Sequence, residues 1–141
     1  MDEAHSLVVE DSPDPADLAL LEERVAAAAI EAAGVGAEQE FGVFVRDDDG
    51  RVLAGISGIV WGRCCDLQAM WVDDALRGRG LARALMAGAE AEARRRGCRR
   101  VAFFAYDLLA PGFYPRLGYR TVGVIEGCPE GSAVRWYCKD L

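Results

Sequence analysis

Between a strand-forming run at residues 66–72 and an amphipathic run beginning at Leu81 stands the segment Leu76-Arg77-Gly78-Arg79-Gly80-Leu81-Ala82, and a second apolar strand run follows at residues 100–106. That order of strand, helix and strand constrains the fold more than any other stretch. Two parallel neighbours need a crossover connection, so the chain has to build a sheet containing a parallel pair. The helical stretch carries Leu81, Leu85, Ala89 and Ala93 on one stripe, with Ala82 and Met86 beside it and Gly97 at its end. On its polar side, Glu90 with Arg94 and Glu92 with Arg96 are spaced for i,i+4 pairs. The glycine-rich start also has chemistry of its own. The first N–H groups of a helix lack partners and carry the positive end of its dipole, so bare backbone there can hold an anion.

The remaining elements follow from periodicity and punctuation. Residues 6–9 read as a short first strand, and Asp14 with Pro15 reads as the N-cap and first position of a helix over residues 16–33, closed by Gly34 and Gly36. Residues 40–46 and 52–61 are β-rich and flank Asp47-Asp48-Asp49-Gly50, a hairpin turn whose acids lack the spacing and the later bidentate acid of a calcium loop. Gly62 and Arg63 mark the next turn. A short helix is expected over residues 111–117, then strands over 119–125 and 133–139. With no repeats and no linker, residues 1–141 read as one α/β domain on a mixed sheet.

At 141 residues and 52% hydrophobic, the chain has room for one proper core. A net charge of −7 argues against a nucleic-acid partner, which needs a basic face. It suits a cationic partner, and it also serves plain solubility. The five cysteines are odd in number, form no C-x-x-C pair and read as reduced, mostly buried residues, and no metal site is expected. Residues 1–6 hold two acids and no apolar core, which is not a signal peptide, and no apolar run is long enough to cross a bilayer. A cytoplasmic protein without a membrane partner is therefore expected.

The anion cradle lacks the third glycine of a dinucleotide fingerprint and the Lys-Ser/Thr of a P-loop. It does match Q/R-x-x-G-x-G/A through Arg77, Gly80 and Ala82, and so resembles the acyl-CoA pyrophosphate motif of the GNAT acetyltransferase superfamily. Met70-Trp71-Val72-Asp73 resembles the central strand of that superfamily and its exit. Gly97-Cys98-Arg99-Arg100 resembles the next helix-to-strand link, and Phe113-Tyr114-Pro115-Arg116-Leu117-Gly118-Tyr119 resembles its F-Y-x-x-x-G-F/Y signature. The resemblance covers residues 43–139. It implies an α/β (α+β) fold with a mixed, mostly antiparallel central sheet, a splayed parallel strand pair and helices on both faces.

It also implies acetyl-CoA as co-substrate. The amides of Gly78, Arg79, Gly80, Leu81 and Ala82 would wrap the pyrophosphate, with Arg77 and Arg79 either bonding phosphate oxygens or standing in solvent, and Arg83 as surface charge. The main chain of Met70, Trp71 and Val72 would hold the pantetheine arm, an N–H near Met70 polarising the acetyl carbonyl. Tyr114 stands where the superfamily places the acid that protonates the departing thiolate. Pro115 directly after it, and Leu109 where many relatives have an amide, depart from the pattern. Asp66 is either a base, with Gln68 on the same face to hold water, or a structural carboxylate, and a water chain is the default base. The only histidine, His5, is remote in sequence from the motifs. Glu126, Glu130, Trp136 and Trp61 are candidates to receive a cationic acceptor.

The resemblance therefore implies an acetyl-CoA-dependent N-acetyltransferase acting on a primary amine of a small molecule or peptide by direct transfer. A non-catalytic acyl-CoA-binding module is the second reading, and the resemblance also allows a homodimer through the final strands.

Overall fold

The computed structural model describes residues 5–141. Of the segment 1–6 read as lacking a signal peptide, residues 1–4 lie outside the described residues. The chain divides into a first compact unit ending at Ala37 and a second from Glu38 to Leu141.

In the first unit, residues 6–9 are not a strand. Their β-propensity finds no neighbouring edge to pair with, and propensity without a ladder does not make a strand. Helix α1 spans Pro15–Ala33. The Asp14 carboxylate accepts the Ala16 N–H at 2.8 Å, and the helix ends at Gly34, left-handed at φ 67°, whose N–H bonds the Ile30 carbonyl.

The second unit holds strands β1 (Gln39–Arg46), β2 (Val52–Trp61) and β3 (Cys64–Val72), helix α2 (Leu81–Arg95), and strands β4 (Arg100–Tyr106), β5 (Arg120–Glu126) and β6 (Ala133–Asp140). They form one six-stranded sheet in the order β1-β2-β3-β4-β6-β5. Every neighbouring pair is antiparallel except β3 with β4, the parallel pair that α2 connects. This is the mixed α/β fold expected, with a mostly antiparallel sheet. β3 starts two residues earlier than residue 66, because Gly62 and Arg63 both take left-handed φ (56° and 65°) and bring Cys64 directly opposite Trp61. The expected helix over 111–117 shrinks to a 3-10 turn at Pro115–Leu117, since Pro115 has no N–H to continue a helix and can only open one.

The core lies between α2 and one face of the sheet. Leu85, Met86, Ala89 and Ala93 of α2 are buried with Ala54 and Ile56 of β2, Cys65 of β3, and Val101 and Phe103 of β4. Glu92 pairs with Arg96 at 2.8 Å as its spacing predicts. Glu90 does not pair with Arg94: it is buried, and accepts hydrogen bonds from Tyr119 Oη and Lys139 Nζ, both at 2.8 Å. Cys65, Cys98 and Cys138 are buried, Cys64 and Cys128 exposed, and all five are free. Among the described residues no helix is long and apolar enough to cross a membrane.

Candidate active site

The start of α2 is left open by its own sequence. Gly80, the N-cap, has no side chain to cap with, and the first bond into the helix is Ala84 N–H to the Gly80 carbonyl at 3.0 Å. The amides from Gly78 to Arg83 therefore have no backbone acceptor among the described residues. Gly78 and Gly80 stand at φ 78° and 77°, and a Cβ at either would meet no atom within 4 Å. Unpaired amides beside open space fit an anion such as a pyrophosphate. Asp73, at the exit of β3, caps a 3-10 turn at Asp74–Leu76 by accepting the Ala75 N–H at 2.9 Å. Arg77 is engaged locally, pairing with Asp74 at 3.0 Å and donating to the Val72 carbonyl at 3.4 Å. Both side chains of that pair are exposed, so it holds Arg77 by no more than about 1 kcal/mol and leaves it free to turn to a phosphate.

A cavity of about 700 Å³ runs from this helix start to the end of β4. Met70, Trp71, Val72, Arg77, Gly78, Gly80, Leu81 and Ala82 all line it, and so does Arg83, which sequence reasoning set aside as surface charge. Arg79 does not. Ala105, Leu109, Phe113 and Tyr114 close the far side.

The sheet itself opens the site. β3 and β4 pair only from Cys64 to Asp66 against Arg100 to Ala102, after which the two strands splay. A bulge at Gln68 accompanies the splay: Leu67 faces Gly58 and Ala69 faces Ser57, leaving Gln68 unmatched. A second cavity of about 490 Å³ occupies this gap, lined by Asp66, Gln68, Phe104, Tyr106 and Trp136 among others. The two cavities share Met70, Ala105, Leu109 and Tyr114. Strand alternation places Asp66, level with Ala102, and Phe104, opposite Trp136, on the face away from α2, while buried Phe103 faces α2; the second cavity, which Ile56, Met86 and Phe103 also line, reaches both faces through the gap.

Tyr114 is half-buried, its ring 4.7 Å from Phe103, 5.1 Å from Phe113 and 5.1 Å from Tyr137. Burial pushes its phenol up from the ordinary value, and Tyr137 adds to the shift, so it stays protonated at neutral pH. Pro115 opens the turn directly after Tyr114, whose carbonyl accepts the Leu117 N–H at 2.9 Å. Lys139, which also donates to the Leu117 carbonyl at 2.7 Å, ties that turn to Glu90. Sequence reasoning missed this tie. The signal was Glu90 standing four residues after Met86, within the apolar stripe.

Asp66 accepts a 2.7 Å bond from Gln68 Nε2. Loss of water raises its carboxyl above the ordinary value; the Gln68 bond lowers it and the Glu38 charge raises it further. Asp66, Met70 and Tyr114 thus line one cavity, and Trp136 joins them. Glu126, Glu130 and Trp61 line neither cavity. His5 belongs to the first unit. Unforeseen from sequence, Arg135 grips Asp107 through two bonds of 2.9 and 3.0 Å and fixes the end of β4 to β6.

Comparison with known proteins agrees with this geometry. Residues 3–119 match the family model described as the Acetyltransferase (GNAT) family. A blasticidin-S acetyltransferase of Streptomyces morookaense is 34% identical over 102 residues, covering 72% of this chain and 75% of that protein. The crystal structure of an acetyltransferase from Agrobacterium tumefaciens superposes with a TM-score of 0.89 at 26% identity, over 97% of this chain and 100% of that one. A Bacillus anthracis structure in complex with acetyl coenzyme A, described as a streptothricin acetyltransferase, shares the fold at 15% identity and a TM-score of 0.61, over 72% and 62% of the two chains. This chain belongs to the GNAT family of acetyltransferases, whose co-substrate is acetyl-CoA.

Proposed function

We propose that the protein moves the acetyl group of acetyl-CoA directly to a primary amine, and that the whole chain serves as one domain for that reaction. The observation that carries this reading is the meeting of two cavities at Met70 and Tyr114. One contains the open helix start suited to the donor's pyrophosphate. The other contains a carboxylate suited to an acceptor cation. Acetyl-CoA, when bound, supplies an activated thioester carbonyl.

The amides from Gly78 to Arg83 hold phosphate oxygens, and the unpaired edge of β3 from Met70 to Val72 holds the pantetheine arm. An N–H near Met70 polarises the acetyl carbonyl. The amine nitrogen attacks that carbonyl carbon and the carbon–sulfur bond breaks. Tyr114 gives its proton to the leaving sulfur. The proton released by the amine passes to a water chain against Asp66 and Gln68, or to Asp66 itself. Five free thiols suit the reducing setting of a cytoplasmic enzyme.

The test is CoA release across a library of amines, with blasticidin S included because a relative is named for it. Turnover with at least one amine is expected. Tyr114→Phe should lower kcat by roughly 10²-fold or more with acetyl-CoA affinity within about twofold. Equal turnover in that variant would remove Tyr114 from the proton path.

A further inference from the structure

The face of the sheet away from α2 carries an aromatic wall that the core does not use. Phe104 of β4 stands directly opposite Trp136 of β6 with ring centroids 5.1 Å apart, and Tyr106 lies two residues along at 5.9 Å from Phe104. Phe104, Tyr106 and Trp136 are 49%, 40% and 42% exposed, while Phe103, the neighbour that faces α2, is 3% exposed. Three large rings left open side by side on one sheet face are an unusual use of apolar surface and mark a contact site. All three line the cavity that contains Asp66, and Asp66 is the only charged side chain among its lining residues. Arg135, which precedes Trp136 on β6, is committed to Asp107. The wall is therefore π-rich, with rings inclined at 52° and 83° that present both faces and edges, and anionic at one end.

We propose that the acceptor is an amine carrying a flat unsaturated ring, the ring lying against Phe104, Tyr106 and Trp136 and the ammonium end directed to Asp66 and the gap at Met70 and Tyr114. This rests on the N-acetyltransfer reading and names its substrate class. A ring offers offset-stacked and edge-to-face contacts to the wall in addition to area burial, and an alkyl chain offers area burial alone. The cavity of about 490 Å³ has the size of a small-molecule site.

The experiment has two readouts on the same panel: tryptamine and tyramine against hexylamine and cadaverine. Calorimetry on the CoA-saturated protein reads binding, and CoA release from acetyl-CoA reads transfer. The ring amines are expected to bind about tenfold more tightly than the alkylamines. Trp136→Leu and Phe104→Leu should each lower the ratio of ring-amine to alkylamine affinity severalfold, without moving the affinity for acetyl-CoA. Both positions are exposed, so neither substitution empties the core.

Equal or tighter binding of alkylamines, or a ring preference that survives both substitutions, overturns the proposal. So does the absence of binding by any member of the panel. Ring-selective binding without CoA release upholds the ring class and refutes transfer to these amines. Release with alkylamines alone upholds transfer and refutes the ring class.

Discussion

Glu90 offers the sharpest quantitative test of how this fold holds its site, because one buried oxygen serves three elements. Its Oε1 accepts Tyr119 Oη and Lys139 Nζ at 2.8 Å each, and Lys139 continues to the Leu117 carbonyl of the turn after Tyr114 at 2.7 Å. The Glu90 and Lys139 side chains are 10% and 24% exposed. Removing one partner of a fully buried pair costs about 3–5 kcal/mol, and the partial opening of Lys139 to water discounts this to about 2–3 kcal/mol. Glu90→Gln keeps the shape and deletes the charge, and Lys139→Met deletes the cation, so each should lower stability by about that amount in urea unfolding with an unchanged m value. The double variant should be less destabilised than the sum of the two by at least about 1 kcal/mol, because the second substitution removes a group the first has already orphaned. Single effects that add within about 0.5 kcal/mol would refute the assigned coupling and leave Glu90 as a packing residue.

Two further perturbations separate strain from ligand grip and locate the proton path. Gly80 and Gly50 share a left-handed φ (77° and 83°) with open space at the Cβ position, so alanine at either should cost about 1–2 kcal/mol of stability, while only Gly80→Ala should also weaken acetyl-CoA binding by calorimetry; equal affinity in both would remove the helix start as the phosphate site. If Asp66 receives the amine proton, activity falls as pH drops through its raised pKa. Gln68→Met, which deletes the lowering hydrogen bond, should move that acidic limb of kcat/KM to higher pH, and an unmoved limb would exclude Asp66 as base. Tyr114, raised above 10 by burial, should contribute no alkaline limb below that pH.

Local chemistry made much of the fold readable in advance. The Asp14 cap and the Gly34 stop bound α1, Asp47 to Gly50 closes the first hairpin, and the apolar stripe of α2 faces the core as spaced. The placements that failed depended on tertiary partners. Residues 6–9 have the composition of a strand and no edge to join, and Glu90 has the spacing of a surface pair but faces Tyr119, just before β5, and Lys139 of β6, both far along the chain. At the site, the cradle was legible because it is made by consecutive residues. The aromatic wall was not, because Phe104 and Trp136 become neighbours only when β6 inserts between β4 and β5.

The short ladder between β3 and β4 has a consequence for how such a protein changes. In the proposed reaction the donor side and the acceptor side of the site meet at a border formed by Met70, Ala105, Leu109 and Tyr114, the residues common to the two cavities. Away from that border the two sides share no wall, so substitutions on one are nearly additive with those on the other. Acceptor choice can then drift through a few side chains on β4 and β6 while the hold on the donor stays fixed.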